Sequence, residues 1–245
     1  MKKLYEKDPV WFAVLWIILY VVGFGNADTL SVAIGIPKLL TAVMGLVLSV
    51  LLLGFLYKHD LLPHFGLCAF QGNLRIFLYF LPLIAISSVN FWYGIGWNET
   101  ALTVVLHIIS MCFVGFLEEV IFRGLLFMGM CKTNVNAAII ISSLTFGVGH
   151  IVNLLLGAPL FETLLQLVNA AIIGFCYTAI FLAGGSILPC ILSHAFINSS
   201  SIFACEPTNT LLIITTVIQV ALSLGYGFWL LHKHPTYLTN EKSKL

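Results

Sequence analysis

Long apolar runs alternate with short polar interruptions along this chain, and the runs exceed what the interior of a soluble domain requires. A helix needs about 20 apolar residues to cross a bilayer. Runs near that length, bounded by charges or by Gly, Pro and Asn turns, predict eight spans at approximately 9–25, 36–57, 75–95, 101–130, 134–153, 162–183, 186–205 and 209–232. Lys2, Lys3 and Lys7 give the first run the basic front of a signal peptide, but its bulky WFAVLWIILY core reads as a retained anchor. The expected fold is all-α, a multi-pass helical bundle. No internal repeat, low-complexity tract or soluble appendage interrupts it, so residues 1–245 read as a single membrane domain.

Composition points the same way. Hydrophobic residues make up 60% of the chain and charged residues 9%, where a soluble protein carries roughly 25% charged residues. Mean hydropathy is +1.05. A cytosolic enzyme and a disordered protein are excluded, and a net charge of +1 offers no basic face to nucleic acid. Eight spans put both termini on one side. Lys2, Lys3, Lys7, Lys58, Arg75, Arg123, Lys132, Lys233, Lys242 and Lys244 fall on that side and only Lys38 does not. The excess of basic residues makes it the cytoplasmic side of a cell membrane. The six cysteines are scattered without a CxxC pair and read as small hydrophobes.

Ionisable groups inside a span need a reason, since each costs about 2.5 to 3.5 kcal/mol at the bilayer centre. The fourth span holds three, Glu118, Glu119 and Arg123, in FLEEVIFRGLL. Glu119 and Arg123 are one helical turn apart in the favourable acidic-then-basic order and can pair; Glu118 points elsewhere, without that partner. The fifth span carries His150, and the seventh carries His194 and Asn198 at i, i+4 spacing. A solvated helix end for the glutamates and packing roles for the histidines are the simpler readings taken singly. The set as a whole points to a site. Glu118 and His150 lie equally far, 16 residues, from Asn134 in the turn between spans four and five. In an antiparallel hairpin they therefore share a height, about 24 Å above the turn. His194 rises only about 14 Å above Gly185, so the three groups share a level if the first hairpin projects about 10 Å further.

At these positions the sequence resembles the CPBP family of intramembrane proteases, which includes CAAX prenyl endopeptidases and bacteriocin-processing or immunity (Abi) proteins. The pattern EExxxR, FxxxH, HxxxN appears as Glu118-Glu119 with Arg123, Phe146 with His150, and His194 with Asn198, on helices four, five and seven. Residues 101–205 would form the catalytic core. The resemblance implies hydrolysis of a peptide bond in a membrane-associated substrate: a CAAX-type prenylated peptide, a bacteriocin leader or a similar segment. It implies that Glu118, helped by His150, activates water while His194 and Asn198 hold the oxyanion. Glu119, Arg123 and Phe146 would support the site.

The chemistry stands on its own terms. A poorly hydrated carboxylate accepts a proton readily, and two N–H donors can stabilise a tetrahedral intermediate by about 3 to 4 kcal/mol each. No cofactor is expected. The rival route places zinc on Glu118, His150 and His194, but the chain lacks HExxH, and Arg123 would occupy Glu119, the carboxylate left to act as base. A non-catalytic immunity or scaffold protein and a proton-coupled transporter are the competing functions, the latter disfavoured by the lack of inverted repeats. Expected partners are membrane lipid and a peptide or protein substrate, with no nucleic acid. His107 reads as a second polar residue in the cavity, and Asn90, Gln166 and Asn169 as interhelical hydrogen-bond formers.

Overall fold

The structure, a computed structural model, describes residues 1–71 and 80–233. Among them six helices are long and apolar enough to cross a bilayer, where the hydropathy pattern predicts eight spans. A short α1 (Lys2–Lys7) precedes α2 (Pro9–Ala33) and α3 (Leu39–Lys58). The third predicted run is, in its described part, a seven-residue α4 (Leu81–Ser87) followed by a 3-10 segment, Val89–Tyr93; its residues 75–79 lie outside the described residues. The fourth run is one rod, Ala101–Cys131, made of α5 (Ala101–Glu119), a π-helix (Val120–Phe127) and α6 (Met128–Cys131). Then come α7 (Val135–Gly149), the short α8 (Val152–Leu155), α9 (Leu160–Gly184), α10 (Leu188–Ser200) and α11 (Asn209–Lys233). With 13 residues, α10 is about 20 Å long, short of a 30 Å hydrocarbon core, and continues through a 3-10 turn to Phe203.

Two boundaries differ from the sequence reading for a common reason. The polar residues at 26–31 do not stop α2. Asn26, Thr29 and Ser31 donate to the carbonyls of Val22, Gly25 and Ala27 at 2.7, 2.9 and 2.8 Å, so their side chains serve the helix they were expected to end. In α4 the same serine chemistry accompanies a real stop. Ser87 and Ser88 bond back to Leu83 and Ala85, and the chain tightens into the 3-10 segment.

The bundle is apolar without, as a lipid solvent demands, and buries polar groups among the apolar side chains of its core. Leu15, Ile18, Leu19 and Val22 form an exposed stripe on α2, and Val43, Leu46, Val47 and Val50 form one on α3. Glu119, Arg123, Thr178, Ser193, His194 and Gln219 are buried. α3 lies between α2 and α5, α10 packs along α5, and α9 is flanked by α7 and α11. The three expected interhelical amides all bridge elements. Asn90 donates to the Ile197 carbonyl at 2.6 Å, Asn153 donates to Gln166 at 2.8 Å, and Asn169 donates to Gln219 at 2.8 Å. Arg123 lies inside the bundle, 1% exposed, and so drops out of the charge count on which the expected orientation rests.

Candidate active site

The two adjacent glutamates sit where α5 gives way to the π-helix, so the rod is not the uninterrupted α-helix its hydropathy suggested. Widened turns of this kind are frequent at functional sites. Arg123 nevertheless reaches Glu119, with Nη1 donating to Oε1 at 3.1 Å, and both side chains are shut away from solvent. Glu119 has a second partner that spacing did not reveal: Nδ1 of His194 lies 2.8 Å from the same Oε1. An ionised carboxylate only accepts, so this contact puts a proton on Nδ1 and turns the other ring nitrogen away from Glu119.

Nε2 of His194 faces Glu118 Oε2 at 3.5 Å, longer than a hydrogen bond. The opposite oxygen of Glu118 accepts from the Tyr20 hydroxyl at 2.5 Å. Oε2 has no hydrogen-bond partner. Glu118 also lines a cavity of about 180 Å³, whose wall includes Tyr20, Phe122, Phe146, His150 and, further out, Asp28 and Lys38.

Phe146 joins the parts together. Its ring meets His150, His194 and Phe122 edge-to-face at centroid distances of 5.2, 5.7 and 5.2 Å, and its face carries the Arg123 guanidinium at 4.1 Å. A desolvated cation over an aromatic face is worth up to about 2 kcal/mol. His150 ends α7, with Nδ1 3.1 Å from the Phe146 carbonyl, and shares the cavity with Glu118. Glu118 and His194 stand at one level, the condition that the offset between the two hairpin turns was expected to satisfy. Their approach depends on Gly115, where a Cβ would lie 2.6 Å from the backbone nitrogen of Ala195; only a bare backbone lets α10 come this close to α5.

Asn198 stays apart from the carboxylates. It is half-buried one turn beyond His194, and its backbone carbonyl accepts from Ser201 at 2.7 Å and meets Nε2 of His107 at 3.0 Å. His107 therefore secures the end of α10 and does not line the cavity, a correction to the sequence reading. Two participants escaped the motif reading. Tyr20 sits eleven residues past Pro9 in the first long span, and the signal was a phenol in mid-membrane that needs a partner. Tyr177, behind His194, takes the other side of Arg123 at 5.6 Å and meets the Ser193 hydroxyl at 2.7 Å.

Of the residues named for the zinc alternative, Glu118 and His194 approach each other at 3.5 Å, and among the described residues no three His, Cys, Asp or Glu side chains group as metal ligands.

A helical membrane bundle that gathers two glutamates, an arginine and a histidine beside a cavity has the build of an intramembrane enzyme. Residues 100–200, which hold the EExxxR, FxxxH and HxxxN groups, match the family model described as Rce1-like, type II CAAX prenyl endopeptidase Rce1-like. Over that segment the chain is similar to CPBP-family intramembrane proteases, which are hydrolases. No curated protein and no solved structure matches it.

Proposed function

We propose that the chain hydrolyses a peptide bond of a membrane-associated substrate with water activated by Glu118 and without a metal ion. The observation that supports this is the unequal treatment of the two glutamates. Glu119 is held through one oxygen by both Arg123 and His194 and does not line the cavity, whereas Glu118, held only by Tyr20, lines it beside His150. Water held between Glu118 and His150 gives its proton to Glu118 as its oxygen bonds to the scissile carbonyl carbon. His194, through Nε2 when both of its ring nitrogens carry protons, and Asn198, one helical turn further along α10, supply N–H donors to the oxyanion. The C–N bond then breaks, the proton passes from Glu118 to the leaving amine, and the products are a carboxylic acid and an amine, which become carboxylate and ammonium by proton transfer. Glu119 holds His194 in orientation, and Arg123 and Phe146 hold Glu119 and the histidines.

The substrate on this reading is a peptide that reaches the bundle from the membrane, whether a prenylated tail, a bacteriocin leader or another segment, and both termini of the enzyme face the cytoplasm. Comparative membrane proteomics of cells with wild type and Glu118→Ala tests the activity. Peptides whose cleavage disappears in the variant are expected. Unchanged cleavage, with cell protection surviving both Glu118→Ala and His194→Ala, would assign a scaffold role instead. Purified enzyme that keeps its activity in chelator and contains no stoichiometric metal is the result expected for the metal-free route.

A further inference from the structure

Lys38 is the one basic residue that the charge pattern leaves opposite the termini, and it borders the same cavity as Glu118. It adopts a left-handed backbone, φ 66°, at the start of α3. Its ammonium donates to Asp28 at 2.7 Å, and Thr41 donates to the same oxygen at 2.9 Å. All three line the cavity, together with Asn153 and Leu156 just beyond the outer end of α7. No lining residue lies more than about one turn to the termini side of Glu118. In that direction Phe12, Trp16, Ile121, Leu125 and Phe127 close the bundle, each at most 2% exposed.

We infer that the active site opens at the α2–α3 end of the bundle, on the face opposite the termini, so that substrates are peptide segments presented from the non-cytoplasmic side and not cytoplasmic C-terminal tails. The inference rests on the proteolytic reading and on cytoplasmic termini. Asp28 and Lys38 form a neutral polar rim, while Phe24, Met111, Phe122 and Phe146 supply apolar walls. The entering peptide is therefore extended and largely uncharged over its inserted part. Asp28 lies eight residues past Tyr20, or about 12 Å along α2. An extended chain covers that depth with about four residues, which sets how far the scissile bond lies from the point where the substrate enters.

Cysteine accessibility tests the opening. Gly25 and Gly149 both line the cavity, and a Cβ at either meets nothing within 4 Å, so Gly25→Cys and Gly149→Cys place thiols there without a clash; Val21→Cys replaces either if it fails to accumulate. Full-length variants in the native cysteine background are treated with a membrane-impermeant maleimide, in intact cells and in inverted vesicles, and read by peptide-resolved mass spectrometry. Ile36→Cys marks the α2–α3 face and Lys58→Cys the opposite one. Labelling of the cavity cysteines together with Ile36→Cys in intact cells, and its loss in inverted vesicles, is expected. Labelling with Lys58→Cys, from both sides, or from neither overturns the inference. If Ile36→Cys itself reacts only in inverted vesicles, the orientation is reversed and the claim about substrate side falls. Cleavage sites lost in Glu118→Ala should lie in exported segments; sites confined to cytoplasmic tails also overturn it. Outside labelling without any lost cleavage would instead sink the proteolytic reading and leave the opening intact.

Discussion

His194 divides the centre of this protein into a dry side and an open side. On the dry side Glu119, Arg123, Phe146 and Tyr177 interlock. The guanidinium lies against two rings, the carboxylate serves two cations or donors, and neither charged side chain is more than 1% exposed. On the open side Glu118 keeps one phenol, faces His194 across a gap, and borders the cavity with His150. Two neighbours in sequence thus receive opposite environments. A buried ion pair braced by a histidine and two rings is suited to hold geometry, and a carboxylate beside a cavity is suited to move a proton.

Substitutions on the two sides should therefore fail differently. Glu118→Gln keeps the shape and removes the base; cleavage is expected to fall by about 10³-fold or more, with the melting temperature in detergent close to that of wild type. A large drop in melting temperature would move Glu118 to the structural side. Arg123→Ala leaves Glu119 buried without its cation and should cost about 3 to 5 kcal/mol of stability, seen as lost folded protein before any kinetic defect is measured. Gly115→Ala pushes α10 from α5 and should cost about 1 to 3 kcal/mol. Because it moves His194 relative to Glu118, its cleavage rate should fall more than its stability alone accounts for. Tyr20→Phe removes one hydrogen bond to a carboxylate, about 1.5 to 3 kcal/mol, and is expected to change the rate and its pH profile with little effect on accumulation. Asn169→Ala, far from both sides, loses an interhelical hydrogen bond worth about 0.6 kcal/mol and should leave cleavage unchanged.

Much of this arrangement was legible in the chain. Glu118, Glu119, Arg123, Phe146, His150 and His194 all stand out as polar or patterned positions in apolar runs, and the structure brings them to one place. What spacing did not give was the second partner of Glu119. A helical wheel contains only its own helix, and His194 is 75 residues away. The same limit hid Tyr20, 98 residues from Glu118 and on a span without any motif. It also led to the placement of His107 in the cavity, since sharing a face with Glu118 says nothing about which neighbour covers that face.

By itself the sequence determined the rods and the short set of groups that could do chemistry, because hydrocarbon tolerates few ionisable side chains and each one left in a span is conspicuous. Tertiary structure decided which glutamate is locked to the arginine and which borders the cavity. That choice turns on the rotation of α5 as it enters the π-helix and on the contact between Gly115 and Ala195 that brings α10 alongside. Both are matters of close packing between helices, to which hydropathy is indifferent.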